Sequence, residues 1–292
     1  MPKGLREIRN RIKSVKSTGQ ITRAMQLVAS SKMKRAQDSA RAGRAYAELL
    51  GEILDTAQAK VGEFSHPLLT KRDVKVRGIL LVTPDKGMAG ALNGNLIRLA
   101  AEQKDAVFVC IGRKGAQALA RSGRKVLADF PVTDRATFNE VRPAAEYLLK
   151  AFTEGTVDTV EVLFAHFKNT MVQTPRVQQL LPADSLVNQA REFRAKLGLP
   201  EPKIEDDERD MLFEPSAAAI LNQLPALFFK QAVHQAVLES KASEFSSRMV
   251  AMKAATDNAK KISAALSLEY NKARQAAITQ EILELTAGAA AQ

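Results

Sequence analysis

The sequence predicts an α/β protein in two parts: a long antiparallel coiled coil of N- and C-terminal helices, and a central domain with a mainly parallel sheet. Three observations predict it. Residues Ala226 to Ala287 contain neither proline nor glycine. A second proline-free stretch lies between Pro2 and Pro67. Between these ends, short β-branched runs alternate with helical patterns, the signature of strand–helix–strand units.

The C-terminal stretch is the strongest element. Fourteen of its 62 residues are alanine, and Leu, Met, Lys, Gln and Glu fill much of the rest, all good helix formers. A continuous helix of that length measures about 90 Å at 1.5 Å rise per residue. A compact chain of this size has a radius of gyration of only about 19 Å. Such a helix has to project, and a projecting helix needs a partner.

The other end of the chain supplies one. Met33, Ala36, Ala40, Gly43, Ala47, Leu50 and Leu54 recur at alternating steps of three and four. Ile8, Ile12 and Val15 make a shorter run, as do Ile21, Met25 and Val28. Near the C-terminus come Leu238, Ala242, Phe245, Met249 and Met252, then Ala259, Ile262, Leu266, Tyr270, Ala273 and Ala277. A 3.5-residue repeat in two separated segments predicts an antiparallel coiled coil between the termini. The extra four-residue step and the many alanines predict a thin pair with altered local winding. An ordinary helical hairpin packed on a globular domain competes with this reading; length counts against it. Gly19, Gly43 and Gly51 weaken the N-terminal helix without ending it. The expected layout is a coiled-coil helix over 1–60, an α/β domain over 61–213 and a second coiled-coil helix over 214–292.

In the middle, strands are expected at Val76 to Thr83, Ala106 to Ile111, Lys125 to Phe130 and Val157 to Phe167. Helices fit between them at Leu92 to Gln103, Lys114 to Ser122 and Arg135 to Thr153. This is a Rossmann-like α/β pattern. Met171 to Leu181 reads as a further strand and Met211 to Phe213 as a short final one. A helix is expected over Leu186 to Leu197, stopped by Gly198 and Pro200, then an acidic loop from Glu201 to Asp210. Phe213-Glu-Pro-Ser216 resembles a helix start with Pro215 in the first turn. Pro225 should kink or restart that helix, because it lacks a backbone donor.

Composition excludes several classes. One cysteine, Cys110, builds no disulfide framework, which suits a reducing compartment. No run approaches 18 apolar residues, the length a membrane span needs, and the N-terminus lacks the apolar core of a secretory signal; the chain is read as complete. Charge is uneven. Residues 1 to 35 hold ten Lys or Arg against Glu7 alone, nine of the net +11. Such a segment suits a nucleic acid, an anionic membrane surface, an acidic protein surface or plain solvent. Its first aromatic is Tyr46, and no zinc or helix-turn-helix signature occurs, so nucleic acid is disfavoured and an acidic protein leads.

Candidate chemistry is sparse. Thr83-Pro-Asp-Lys-Gly-Met-Ala-Gly-Ala-Leu-Asn-Gly94 follows a strand and precedes a helix, where glycines can cradle a phosphate. It matches neither phosphate-loop spacing, so a tight structural turn is the better reading. His66, His166 and His234 are dispersed, with no ligand partners at metal spacing. No catalytic residue, cofactor or metal is expected.

Four segments resemble the gamma subunit of F-type ATP synthases. Ile278-Thr-Gln-Glu-Ile-Leu-Glu-Leu-Thr-Ala-Gly-Ala-Ala290 is similar to that family's C-terminal signature, the most specific of the four. Ile21 to Arg35 resembles its N-terminal helix. Glu239 to Lys253, followed by Thr256-Asp-Asn-Ala259, resembles its central C-terminal segment. Asp85 to Asn93 corresponds to a family turn usually containing Gly-Leu-Cys-Gly; here Met88 and Ala89 replace the Leu and Cys, which removes thiol chemistry there.

The resemblance implies a non-catalytic rotor subunit, the central stalk, present once per complex. Its partners would be the alpha and beta subunits of a hexamer, the epsilon subunit and the membrane c-ring, with no nucleic acid. Its place would be peripheral, at the cytoplasmic face of the bacterial plasma membrane. Contacts implied at matching positions are Met25 beside an acidic loop of beta and Lys86 in the turn. Arg248 would contact the surroundings of the beta sites. Arg274, Gln275, Thr279 and Glu281 would do so near the shaft tip.

Overall fold

The computed structural model describes residues 3–61, 66–182, 214 and 216–290. Two helices dominate it: α1, Lys3–Val61, and α5, Ala217–Ala290. Ser216 caps α5, its Oγ accepting from the Ala219 amide at 3.2 Å. Pro225 lies inside this helix, so of the expected kink or restart the restart does not occur. An internal proline typically costs about 3 kcal/mol. Here its flanks are buried: Leu221, Leu224, Phe228 and Phe229 all lie in the core, and burial of such side chains offsets the lost bond.

Between the long helices the chain makes β1 (Arg77–Val82), α2 (Leu92–Glu102), β2 (Ala106–Ile111), α3 (Arg113–Arg121), β3 (Val126–Phe130), α4 (Phe138–Thr153), β4 (Thr159–Phe167) and β5 (Gln173–Leu181). They form a five-stranded sheet in the order β3-β2-β1-β4-β5. All pairings are parallel except β4 with β5. The predicted Rossmann-like pattern is therefore present, with strand and helix limits within three residues of the sequence reading. The expected helix at Leu186 to Leu197, the acidic loop and the strand at Met211 to Phe213 lie outside the described residues.

Strand alternation builds two cores. Leu80, Val82, Val109, Ile111 and Val162 point to one face, against Leu148 and Phe152 of α4 and Phe229, Val233 and Val237 of α5. Ile79, Leu81, Phe108, Cys110 and Leu163 point to the other, against Leu92, Leu96 and Ala100 of α2 and Leu119 of α3. A sheet covered on both faces needs near-continuous apolar strands; that is why β1 reads Gly-Ile-Leu-Leu-Val.

By their contacts the residues fall into two compact units, 31–247 and 1–30 with 248–292. The first contains the sheet and the part of α5 up to Ser247. In the second, α1 and α5 run antiparallel. Thr22 and Thr256 share a hydroxyl–hydroxyl hydrogen bond of 2.8 Å, and a Cβ on Gly19 would lie 3.2 Å from the Cβ of Ala259. The seam on α5 here is Met252, Thr256, Ala259, Ser263, Leu266, Tyr270, Ala273 and Ala277, all buried or half-buried. This is an unbroken heptad in which Thr256 and Ser263 fill positions that an apolar template passes over. Ile262, expected in the seam, is exposed. On α1, Ile8, Ile12 and Val15 face inward, continued by Gly19, Thr22 and Ala29. Ile21 and Val28 instead point to solvent, because only small residues fit where the backbones come this close.

Candidate functional site

In an open sheet a ligand would enter beyond the carboxyl ends of the strands; here β1 leads to α2, while β4 turns straight back into the adjacent antiparallel β5. Here the chain itself fills that position. Ser243 Oγ donates to the Ala165 carbonyl at the end of β4, 2.9 Å. Ser247 Oγ donates to the Ala89 carbonyl in the turn after β1, 2.7 Å. Ser246 Oγ donates to the Thr170 carbonyl beyond β4, 2.7 Å. A stripe of serine hydroxyls on α5 thus satisfies carbonyls that would otherwise need water or a ligand.

The phosphate position at the start of α3 is also taken. The Arg113 amide donates to Asp85 Oδ1 at 2.9 Å, and the Gly115 amide to Thr83 Oγ1 at 2.8 Å. An internal carboxylate at a helix N-terminus does what an anion would do there. Gly112, with φ +100°, permits the close turn; a Cβ there would sit 1.8 Å from the Thr83 carbonyl oxygen. The glycine-rich turn is a structural device: Met88 and Gly90 both adopt positive φ.

Three further chemistry-bearing side chains are buried or paired. The Cys110 thiol is pushed up to about 12, first by burial and then by Asp129. His234 hydrogen-bonds the Ala136 carbonyl at 2.8 Å and is held below the usual imidazole value by burial. His166 Nδ1 lies 2.9 Å from Glu239 Oε2. Among the described residues no group of three or more His, Cys, Asp or Glu is placed to hold a metal ion, and no helix is long and apolar enough to cross a membrane.

The residues expected to meet partners occupy several places. Lys86 is exposed in the turn after β1, where its carbonyl accepts from Asn93 Nδ2 at 3.4 Å. Met25 and Arg248 are half-buried on α1 and α5. Arg274, Gln275, Thr279 and Glu281 are exposed near the end of α5. The Thr279 hydroxyl donates to the Gln275 carbonyl at 3.0 Å. Beside them Ile278, Ile282 and Leu283 stand about half-exposed, a mixed polar and apolar surface. The N-terminal cations Arg6, Arg9, Arg11, Lys13 and Lys16 are all exposed.

Sequence reasoning missed the serine stripe and Asp134, which pairs with Lys32. Ser240, Ser243 and Ser246 recur at three-residue steps, and Ser247 lies four from Ser243. That pattern was a usable signal for one polar docking line.

The fold defines a class first: two long antiparallel helices carried with a Rossmann-like domain whose ligand crevice is closed by its own helix. A sequence model of the ATP synthase family matches residues 4–292. The ATP synthase gamma chain of Opitutus terrae is 52% identical over 283 residues, covering 97% of this chain and 96% of that one. That of Ralstonia nicotianae is 42% identical over 299 residues, covering 99% of each. Among solved structures, a chain of the Tetrahymena thermophila mitochondrial ATP synthase central stalk and c-ring matches with TM-score 0.55 and 25% identity, over 80% of this chain and 99% of that one. A chain from the Euglena gracilis mitochondrial enzyme (OSCP, F1 and c-ring) matches with TM-score 0.65 at 18% identity, over 100% and 95%; at that identity the likeness concerns the fold. The chain belongs to the gamma-chain family of ATP synthases, central-stalk subunits of the F-type enzyme.

Proposed function

We propose that this chain is the rotating shaft that carries torque from a proton-driven c-ring to the catalytic beta subunits. The observation that carries the reading is the match from end to end with gamma chains, both long helices and the sheet included. One copy would serve each complex. The paired helices would stand within the hexamer of alpha and beta subunits, and the sheet domain would meet epsilon and the c-ring. Such a complex would hold the chain peripherally at the cytoplasmic face of the plasma membrane. Met25, Lys86, Arg248, Arg274, Gln275, Thr279 and Glu281 are the proposed contacts with the hexamer.

The physical chemistry of these positions suits a moving contact. A fully buried large side chain contributes about 1.5–3 kcal/mol, so a row of them would lock one orientation. Exposed charge pairs contribute only about 0–1 kcal/mol each, and can be made and broken at each step. Arg274 and Glu281 are of this exposed kind. Met25→Lys tests the reading in the assembled enzyme. A further cation beside an acidic loop adds an attraction that must be broken every turn. The expected result is less proton pumping per ATP hydrolysed; an unchanged ratio counts against Met25 as a contact.

A further inference from the structure

Several directional contacts converge where the compact units divide, at Ser30–Ser31 on α1 and Ser247–Arg248 on α5. All of them lie inside the sheet unit. Lys32 Nζ binds Asp134 Oδ2 in the loop between β3 and α4, and sits 5.8 Å from the centre of the Phe245 ring. Phe245 packs with Ala36, Ala242 and Met33. Ser247 ties α5 to the Ala89 carbonyl at 2.7 Å. Lys241 and Glu244, both nearly fully buried on α5, approach to 3.5 Å. Burial alone would push the Asp134 carboxyl up, yet it is held below the usual carboxylate range by the Lys32 hydrogen bond and by the fields of Lys32, Lys241 and Lys86.

Apolar burial is non-directional. In α5, large buried side chains such as Phe229 and Phe245 also hold the helix's orientation; α1 meets the sheet unit here through Met33, Ala36 and Ala40, small or half-buried and a weaker grip. Hydrogen bonds and ion pairs have narrow geometric limits, and at the ends of side chains they act away from the axis. Where apolar packing is thin, such contacts add to burial in opposing twist. Lys32–Asp134, partly exposed and so a modest tie, links α1 to the sheet's loops; Ser247–Ala89 links α5 to the turn that carries Lys86.

We propose that Lys32, Asp134 and Ser247 form a collar that sets the rotational orientation of both long helices on the sheet, and so act as positioning residues for torque transfer. The proposal rests on the shaft reading above. It is tested in inverted membrane vesicles carrying the whole complex, by measuring proton pumping per ATP hydrolysed. Asp134→Lys places two cations together and should lower the ratio while hydrolysis continues. Adding Lys32→Asp reverses the pair and should restore it. Asp134→Asn and Ser247→Ala should give smaller falls in the same ratio. A merely structural role would change the amount of complex assembled and leave this ratio alone. Wild-type ratios in Asp134→Lys and Asp134→Asn overturn the collar, as does a loss that the reversed pair fails to restore. Should Asp134→Lys not assemble, Asp134→Asn decides by itself: a fall supports the collar and an unchanged ratio overturns it. If the unaltered chain yields no pumping complex, the shaft reading fails and takes the collar with it.

Discussion

At the scale of single residues, His234 is the clearest pH-sensitive group. It packs edge-on against Phe138 and hydrogen-bonds the Ala136 carbonyl, so Nε2 carries a proton and the ring is neutral. Burial holds its pKa below the ordinary value of 6.5, and the carbonyl contact opposes this only in part. The unfolded chain therefore takes up a proton first as pH falls. Stability should be full above about pH 6.5 and decline below it, down to the folded-state pKa. His66 is lowered by burial too, so the comparison that isolates His234 is with His234→Gln. Melting temperature followed from pH 7.5 to 5 should fall less steeply in that variant; equal slopes would contradict the assignment. Arg77 illustrates a different economy. Its guanidinium forks onto Glu161 at 2.8 and 2.5 Å across the β1–β4 pair, and that carboxylate raises the Arg77 pKa. Removing one partner of a well-buried pair costs about 3–5 kcal/mol, and partial exposure of Arg77 reduces that. Glu161→Gln should lower unfolding stability by about 2 kcal/mol, read from urea denaturation.

At the scale of elements, two glycines decide close approaches. Gly112→Ala would set a Cβ 1.8 Å from the Thr83 carbonyl oxygen at a positive φ. A penalty above about 4 kcal/mol is expected, seen as loss of soluble protein or a melting point lowered by roughly 10 °C. Gly19→Leu would wedge α1 from Ala259, and should speed proteolysis within 1–30 and 248–290 while leaving the melt of the sheet domain unchanged. The same elements show what was legible in the sequence. Strands buried on both faces announce themselves as short apolar runs, and β1 to β5 were read within three residues. The helix seam was legible in phase but not in membership. Apolar templates selected Ile21 and Ile262, which are exposed, and passed over Gly19, Thr22, Thr256 and Ser263, because a close pairing selects for size before polarity. At Pro225 local backbone chemistry left a kink or a restart open, and the helix continues through it with Leu221, Leu224 and Phe228 buried around it. The proposed contact residues rest on family resemblance alone, since an exposed Arg274 or Glu281 looks like any solvated helix face. Asp134 and the serine stripe act across about 80 to 150 residues of sequence, beyond the reach of any local pattern.

At the scale of the whole molecule, the arrangement accounts for a protein that moves and catalyses nothing itself. The sheet offers a fold that elsewhere holds nucleotides, but here Asp85 accepts from the Arg113 amide at the start of α3, and serines of α5 satisfy carbonyls beyond β1 and β4. The surfaces proposed for partners are the turn at Lys86, the helix faces with Met25 and Arg248, and the mixed end of α5. The cationic N-terminal segment adds long-range attraction for acidic surfaces. The most direct measurement is purification of the tagged chain from its native membranes. The account predicts recovery with alpha, beta and epsilon subunits in a complex that hydrolyses ATP, while the isolated chain does not. Recovery of the chain alone, or with nucleic acid released steeply by salt, would contradict it.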